Sequence, residues 1–319
     1  MSAKASNVWS VFRRIPIVLW FILLLVIIFS CLSKQYLTMR NLLILLQQGS
    51  VQLVVAAAAT FVIISGGLDL SLGGILTLSG VTVAISLNAG LPIPVVILVG
   101  MLTGLLCGAI NGVLISYCDL ESFIVTLGTQ GLFFGLSLVA TKKVGISVSN
   151  ESFIFLGSLY NKVIPMAAIC CLIIYIFAII TQDWTRFGRY IFAIGGNAEG
   201  ARLSGIDTKF WRCFTYAFAG FLTGLAAVIL VARLEVADPL VGRQWEFEAI
   251  AAAILGGTSL RIGKGDVKGT IVGVTLLTVI RSGLNVARIP SLWQPAILGI
   301  VIIMAIVFQV SIMSKELKK

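Results

Sequence analysis

Few residues in this chain are able to do chemistry, and their types exclude more than they suggest. There is no histidine among 319 residues. That removes the commonest general base, the usual zinc ligand sets and any Ser-His-Asp arrangement. Six cysteines (Cys31, Cys107, Cys118, Cys170, Cys171 and Cys213) lie in apolar runs or at their ends without CxxC spacing. They read as small buried hydrophobes. The stretch Gly256–Gly265 approaches a phosphate loop and misses it: five residues separate Gly257 from Gly263, and Gly265 follows Lys264 where Ser or Thr must reach magnesium. The chain is expected to have no ATPase of its own, no catalytic residue, no metal site and no cofactor.

Other polar residues point to passage rather than reaction. Asp69 sits between two long apolar runs, flanked by Gly66-Gly67 and Gly73-Gly74. A carboxylate there is expensive unless it caps a helix or reaches water or a partner. Arg281 is the clearest ionisable residue deep in an apolar run, with Glu246, Glu248 and Asp119 near the ends of others. Ion-coupled carriers need more intramembrane relays than this, which counts against a stand-alone secondary carrier. Uncharged groups are better represented: Gln47, Gln48, Gln52, Asn111, Thr126, Thr129, Gln130, Asn285 and Gln294. They suit a hydroxylated neutral solute, and they equally suit hydrogen bonds between helices.

The elements that must position these groups are membrane helices. The chain is 59% hydrophobic and 11% charged, against roughly 45–50% and about 25% in soluble domains. Its net charge of +10 falls in loops, with no basic, aromatic-studded nucleic-acid domain. About 20 apolar residues cross a bilayer, and ten spans are expected at 15–33, 42–65, 71–90, 92–117, 122–141, 163–182, 212–232, 246–257, 267–287 and 290–313. The eighth is short and the third is interrupted by glycine. With the N-terminus inside, the cytoplasmic segments hold fourteen Lys and Arg residues and the external ones eight. This bias places both termini in the cytoplasm. The fold class is therefore an all-α integral membrane protein of about ten helices, one polytopic unit over 1–319. Gly100, Gly104, Gly108 and Gly112 stand four apart, a spacing that predicts close helix packing.

The longest polar segment is 183–212. Within it, Asn197 is a good N-cap, Glu199 and Arg202 suit the positive and negative helix ends, and Gly205 fits the left-handed position beyond the last turn. A helix of about two turns is expected from Ala198 to Ser204. So short a helix is marginal alone and gains stability by docking.

Several stretches in one order resemble the inner-membrane permeases of bacterial sugar ABC importers of the ribose type. They are Gly66-Gly67-Leu68-Asp69-Leu70-Ser71-Leu72-Gly73, Asn111-Gly112, Phe123–Gly128, Gly195–Ile206, and Glu248–Ser259 continuing through Gly263-Lys264-Gly265 to Gly269-Thr270. One departure stands out: such permeases commonly show Pro before Phe123, and here Ser122 follows Glu121. The resemblance implies a permease dimer, of identical or homologous copies, in the inner membrane. It also implies a cytoplasmic ATPase that binds the ATP and a periplasmic substrate-binding protein. Gly196, Asn197, Ala198, Glu199, Gly200, Ala201, Arg202, Ser204 and Gly205 would then form a coupling helix seated on the ATPase. Asp69, Asn111, Phe123, Thr126, Gln130 and Gln294 are the candidates for pathway or gate. Permeases for branched-chain amino acids or nucleosides are the alternative substrate classes.

Overall fold

The computed structural model describes residues 17–161, 163–259, 263–290, 292–300 and 303–304. Its helices are α1 (Ile17–Leu32), α2 (Met39–Ile64), α3 (Leu72–Asn88), α4 (Ile93–Ser116), α5 (Ser122–Thr141), α6 (Glu151–Ile154), α7 (Met166–Trp184), α8 (Arg186–Gly196), α9 (Ala198–Leu203), α10 (Thr208–Leu234), α11 (Trp245–Leu255) and α12 (Val267–Val286). Residues 294–300 are also helical; the rest of the expected last span lies largely outside the described residues. Among the described residues six helices, α2, α4, α5, α7, α10 and α12, are long and apolar enough to cross a membrane, and α1 and α3 are shorter apolar helices. The architecture is that of an all-α membrane protein.

Two short antiparallel ladders close one end of the bundle. Strand β1 (Ile146–Ser147) pairs with β4 (Val236–Ala237), with Ile146 opposite Ala237, and β2 (Leu159–Tyr160) pairs with β3 (Ile164–Pro165). The segment α8–α9 lies at the opposite end.

The two longest helices, α2 with 26 residues and α10 with 27, run antiparallel through the core. Phe61 near the end of α2 meets Phe218 near the start of α10, and Arg233 at the end of α10 donates to the Gln47 carbonyl near the start of α2. Each is followed by a break, a shorter helix and a further span. Helix α4 packs on α10 as α12 packs on α2, and α3 meets α10 as α11 meets α2. The unit α2–α3–α4 is thus repeated by α10–α11–α12 with its direction reversed, the arrangement expected where two halves enclose a site at mid-membrane.

Glycine determines how close these helices come. A Cβ at Gly104 would strike the carbonyl oxygen of Gly220, one at Gly108 that of Tyr216, and one at Gly112 would lie 2.5 Å from the Cys213 carbonyl. Gly220 and Gly224 answer from α10 against Gly104 and Gly100. In lipid, helices gain little by hiding apolar side chains from one another, so backbone contact of this kind is what holds them. The outer faces of α1, α4 and α7 remain apolar and exposed, as at Leu24, Leu102 and Ile173. On α5, by contrast, Gly128, Gly131 and Gly135 have nothing near them. Replacing Gly104 with Val should therefore lower stability by about 3 kcal/mol through forced separation of α4 and α10. Gly131→Val should change it far less, and thermal unfolding in detergent distinguishes the two.

Candidate functional site

The chain breaks occupy the middle of the bundle. Helix α11, with 11 residues, rises about 16 Å, half of the roughly 30 Å hydrocarbon thickness. The eighth expected span, 246–257, is accordingly a half-span, reached from β4 through non-helical residues 238–244. Non-helical backbone at such depth must be buried in protein or line a water-filled cavity. Here the two breaks satisfy each other. Gly242 and Gly73 approach so closely that a Cβ on either would hit the other's carbonyl oxygen. The Gly242 N–H donates to Thr77 Oγ1 at 3.1 Å, and that hydroxyl donates to the Gly73 carbonyl at 2.9 Å.

Two carboxylates rise from the first turn of α11, where the positive helix end favours them. Glu246, 1% exposed, accepts from Gln130 Nε2 on α5 and lies against Gly73 in the first turn of α3. Its Oε2 has no hydrogen-bond partner among the described residues. Glu248 accepts from Gln52 Nε2 on α2 at 2.5 Å and pairs with the Arg281 guanidinium on α12. Helix α2 is thereby joined to the consecutive helices α11 and α12 at one ion pair, in which Glu248 is buried and Arg281 half-buried.

The break between α2 and α3 holds Asp69. Its Oδ1 accepts from the Ser71 N–H at 2.8 Å and from Ser71 Oγ at 2.6 Å, an Asx turn just ahead of α3; Ser71, the residue before α3, makes no capping bond of its own. Asn111 Nδ2 donates to Ser71 Oγ at 2.7 Å, and Asp69 Oδ2 and Asn111 Oδ1 are buried without partners among the described residues. The same turn is clamped from two further helices. The Leu68 N–H donates to Ser122 Oγ at 3.2 Å, and Tyr216 Oη donates to the Leu68 carbonyl at 3.2 Å. The hydroxyl at 122, where Pro was the expected residue, thus has a partner that proline lacks.

The other expected pathway residues are placed as follows. Thr126 is buried and donates to its own helix at the Ser122 carbonyl, while Phe123 is exposed on α5. Gln294 lies apart from the breaks and donates to Asn285 Oδ1 at 2.8 Å.

At the far end, Asn197 Oδ1 accepts from the Gly200 N–H at 2.9 Å and starts α9. Gly205, at φ +83°, ends it, with the Ile206 N–H donating to the Ala201 carbonyl. Glu199 and Arg202 pair with each other at 2.6 Å on the exposed face, and hydrogen bonds from the guanidinium hold the Glu199 carboxyl below its usual range. Leu203 is 75% exposed, and a side chain at Gly196 would point into open space. Sequence reasoning missed helix α8, whose signal was Thr185 as N-cap followed by Phe187, Ile191 and Ile194 on one face. Phe187 stacks on Phe61 at 5.8 Å and meets Phe218 edge-on at 5.4 Å, fixing α8 to both α2 and α10. Gly195 lies against the Ile64 carbonyl, and Gly263 against Gly195 and Gly196. Gly263, from the stretch that failed as a phosphate loop, is therefore packed against the end of α8, and nearby the Ser259 N–H donates to the Lys264 carbonyl at 2.7 Å.

A family model described as "Branched-chain amino acid transport system / permease component" matches residues 41–306. Among curated proteins, the chain is 36% identical over 289 residues to a ribose import permease protein of Haemophilus influenzae, covering 89% of this chain and 90% of that protein. It is 39% identical over 285 residues to the ribose import permease protein of Bacillus subtilis, covering 89% and 88%. It is 38% identical over 292 residues to a D-allose transport system permease protein of Escherichia coli, covering 90% and 89%. No solved structure was found to match.

Removing one partner of a fully buried ion pair costs about 3–5 kcal/mol; with the Arg281 side chain 29% exposed, the loss here falls at the lower end, about 3 kcal/mol or less. Glu248→Met and Arg281→Met should each destabilise by that order, and the double variant should recover most of the loss. Thermal unfolding of the three variants measures the cycle; additive losses would show that the two side chains act independently.

Proposed function

The chain belongs to this family of permease components, and we propose that it is the transmembrane subunit of an ABC importer that carries a monosaccharide into the cytoplasm. Ribose-like pentoses, hexoses and related small polyols are the substrate class. The observation that carries this reading is the end-to-end similarity to ribose and allose import permeases, about nine-tenths of both chains. The protein is a multi-pass protein of the inner membrane. It works as one permease unit without catalytic residues or an ATPase of its own, and ATP is bound by a separate cytoplasmic subunit.

In this reading about ten spans cross the membrane with both termini inside, supported by the Lys and Arg bias. The α8–α9 end then faces the cytoplasm and the β-ladder end the periplasm, where a substrate-binding protein delivers the solute. The exposed α9, with Asn197, Glu199 and Arg202, docks on the ATPase. The open glycine face of α5 favours a second permease copy, since small residues permit close contact in lipid. The breaks at Asp69 and Glu246 form the gate. Nucleotide-driven movement of α9 reaches them through Phe187, Gly195 and Gly263, which touch α2, α10 and the loop after α11.

In vesicles holding the full importer, Asn197→Trp and Glu199→Arg should leave ATP hydrolysis running while uptake falls on the order of tenfold. Normal uptake in both variants would sink the coupling role. Because the family description names branched-chain amino acids, that substrate class is the second reading. Uptake of isoleucine rather than any monosaccharide by the wild-type importer would establish it instead.

A further inference from the structure

We propose that the polar pocket between the β-ladder ends of α2 and α12 binds a small hydroxylated solute on its way to the central breaks. This deepens the importer reading and rests on it for the solute class. The pocket has a volume of about 290 Å³, at the lower bound of the 300–1,000 Å³ typical of small-molecule sites, a size for a monosaccharide. Its polar groups are Gln35, Asn41, Gln48, Ser282, Asn285 and Arg288, with no carboxylate and no aromatic ring among the described residues that line it. Amides, a hydroxyl and a guanidinium supply donors and acceptors side by side, which is what neighbouring sugar hydroxyls require, since each both donates and accepts. The absence of a carboxylate from the lining disfavours a cation or an amine.

Three features show that this wall is prepared for a ligand. Asn41 is held rigid, donating to the Tyr36 carbonyl at 2.7 Å and accepting from Ser282 Oγ at 3.0 Å, and Asn285 is held by Gln294. Gln48 Oε1 is buried with no hydrogen-bond partner among the described residues, an acceptor awaiting a donor. Arg288 occupies the left-handed position just beyond α12, at φ +58°, where glycine is the unstrained choice. Strain of this sort concentrates at ligand-holding positions, and its guanidinium forms no ion pair among the described residues.

The pocket also leads somewhere. Gln52 follows Gln48 by one turn on the same face of α2, and Arg281 precedes Asn285 by one turn on α12. Gln52 and Arg281 are the two groups that hold Glu248. A polar track therefore runs from Arg288 through Gln48 and Asn285 to the carboxylate at the start of α11. This also assigns Gln294 its place: it orients Asn285.

The test uses the permease–ATPase complex in nanodiscs without binding protein, with melting temperature followed against D-ribose, D-allose and isoleucine. One of the sugars should raise the melting temperature of the wild type. Gln48→Leu and Arg288→Gly should abolish that rise, and Arg288→Lys should retain part of it. Sugar-free, the first two variants should melt at or above wild type, because one removes an unpaired buried acceptor and the other relieves the left-handed backbone. A merely structural role predicts the opposite. In the full importer, sugar uptake at low concentration should fall on the order of tenfold in both. A wild type that takes up sugar without any thermal shift, or a shift that survives both substitutions, overturns the pocket. Stabilisation by isoleucine alone overturns the solute class. Failure of the wild-type importer to take up any monosaccharide would overturn the importer reading instead, while a sugar-dependent shift lost in both variants would leave the pocket standing.

Discussion

Lipid offers no hydrogen bonds, so a chain that interrupts its helices inside a membrane must satisfy the freed backbone from within. The meeting of Gly73 with Gly242 is where this protein meets that demand, and much else is arranged around it. Neither residue has room for a side chain, since each carbonyl faces the other residue's Cα. Thr77 bridges the pair, accepting from one backbone N–H and donating to the other carbonyl. Glu246 can then sit in the first turn of α11 while lying against the first turn of α3, so one carboxylate faces two positive helix ends. A carboxyl group that would be costly in a continuous span sits where the breaks meet, and the breaks are made tolerable by packing against each other.

The reversed repetition explains why two breaks come together at all. Helices α2 and α10 cross the core in opposite directions, so the breaks that follow them enter from opposite ends and meet near the middle. The glycine-to-backbone contact of α4 with α10 draws one half into the other. On the second side the analogous packing of α12 on α2 uses other chemistry: Thr278 faces Gly49, Thr60 and Thr270 share a 2.8 Å hydrogen bond, and Glu248 links Gln52 to Arg281. The halves are alike in path and unlike in adhesive. That difference makes the α2–α12 seam the polar one, and it is along this seam that the pocket opens.

The helices were legible in the sequence because apolar length and capping residues act locally. The expected spans 92–117, 122–141 and 267–287 agree within a residue with α4, α5 and α12, and Asn197 and Gly205 delimit α9 by chemistry visible within ten residues. The glycine spacing from Gly100 to Gly112 announced a close partner without naming it. What stayed hidden was long-range pairing. Nothing near Glu248 in the chain indicates that positions 52 and 281 will meet it, and Glu246 read as a residue near a helix end because the half-span was counted as a span. Gln130 stood out as polar, yet its partner lies over one hundred residues away. Thr126, also expected at a gate, spends its hydroxyl on its own helix, the ordinary fate of threonine in a membrane helix.

These pairings bear on how force would cross the molecule. The aromatic contacts of Phe187 with Phe61 and Phe218 tie α8 to the two helices that precede the breaks, and Gly195 rests on the last carbonyl of α2. Backbone-to-backbone contacts do not cushion displacement as flexible side chains do, so a shift of α8 is passed to Ile64 rather than absorbed. From there five residues reach Asp69, which is fixed to Ser71 and, through it, to Asn111 on α4. On the other side Gly263 carries the same displacement into the loop that ends α11, whose opposite end bears Glu246 and Glu248. Under the proposed coupling, a single movement at the α8–α9 end would act on both breaks at once. Since the breaks meet through Gly73 and Gly242, α3 and α11 would move together or part under the proposed gating, and a barrier built from that contact would be two-state rather than graded.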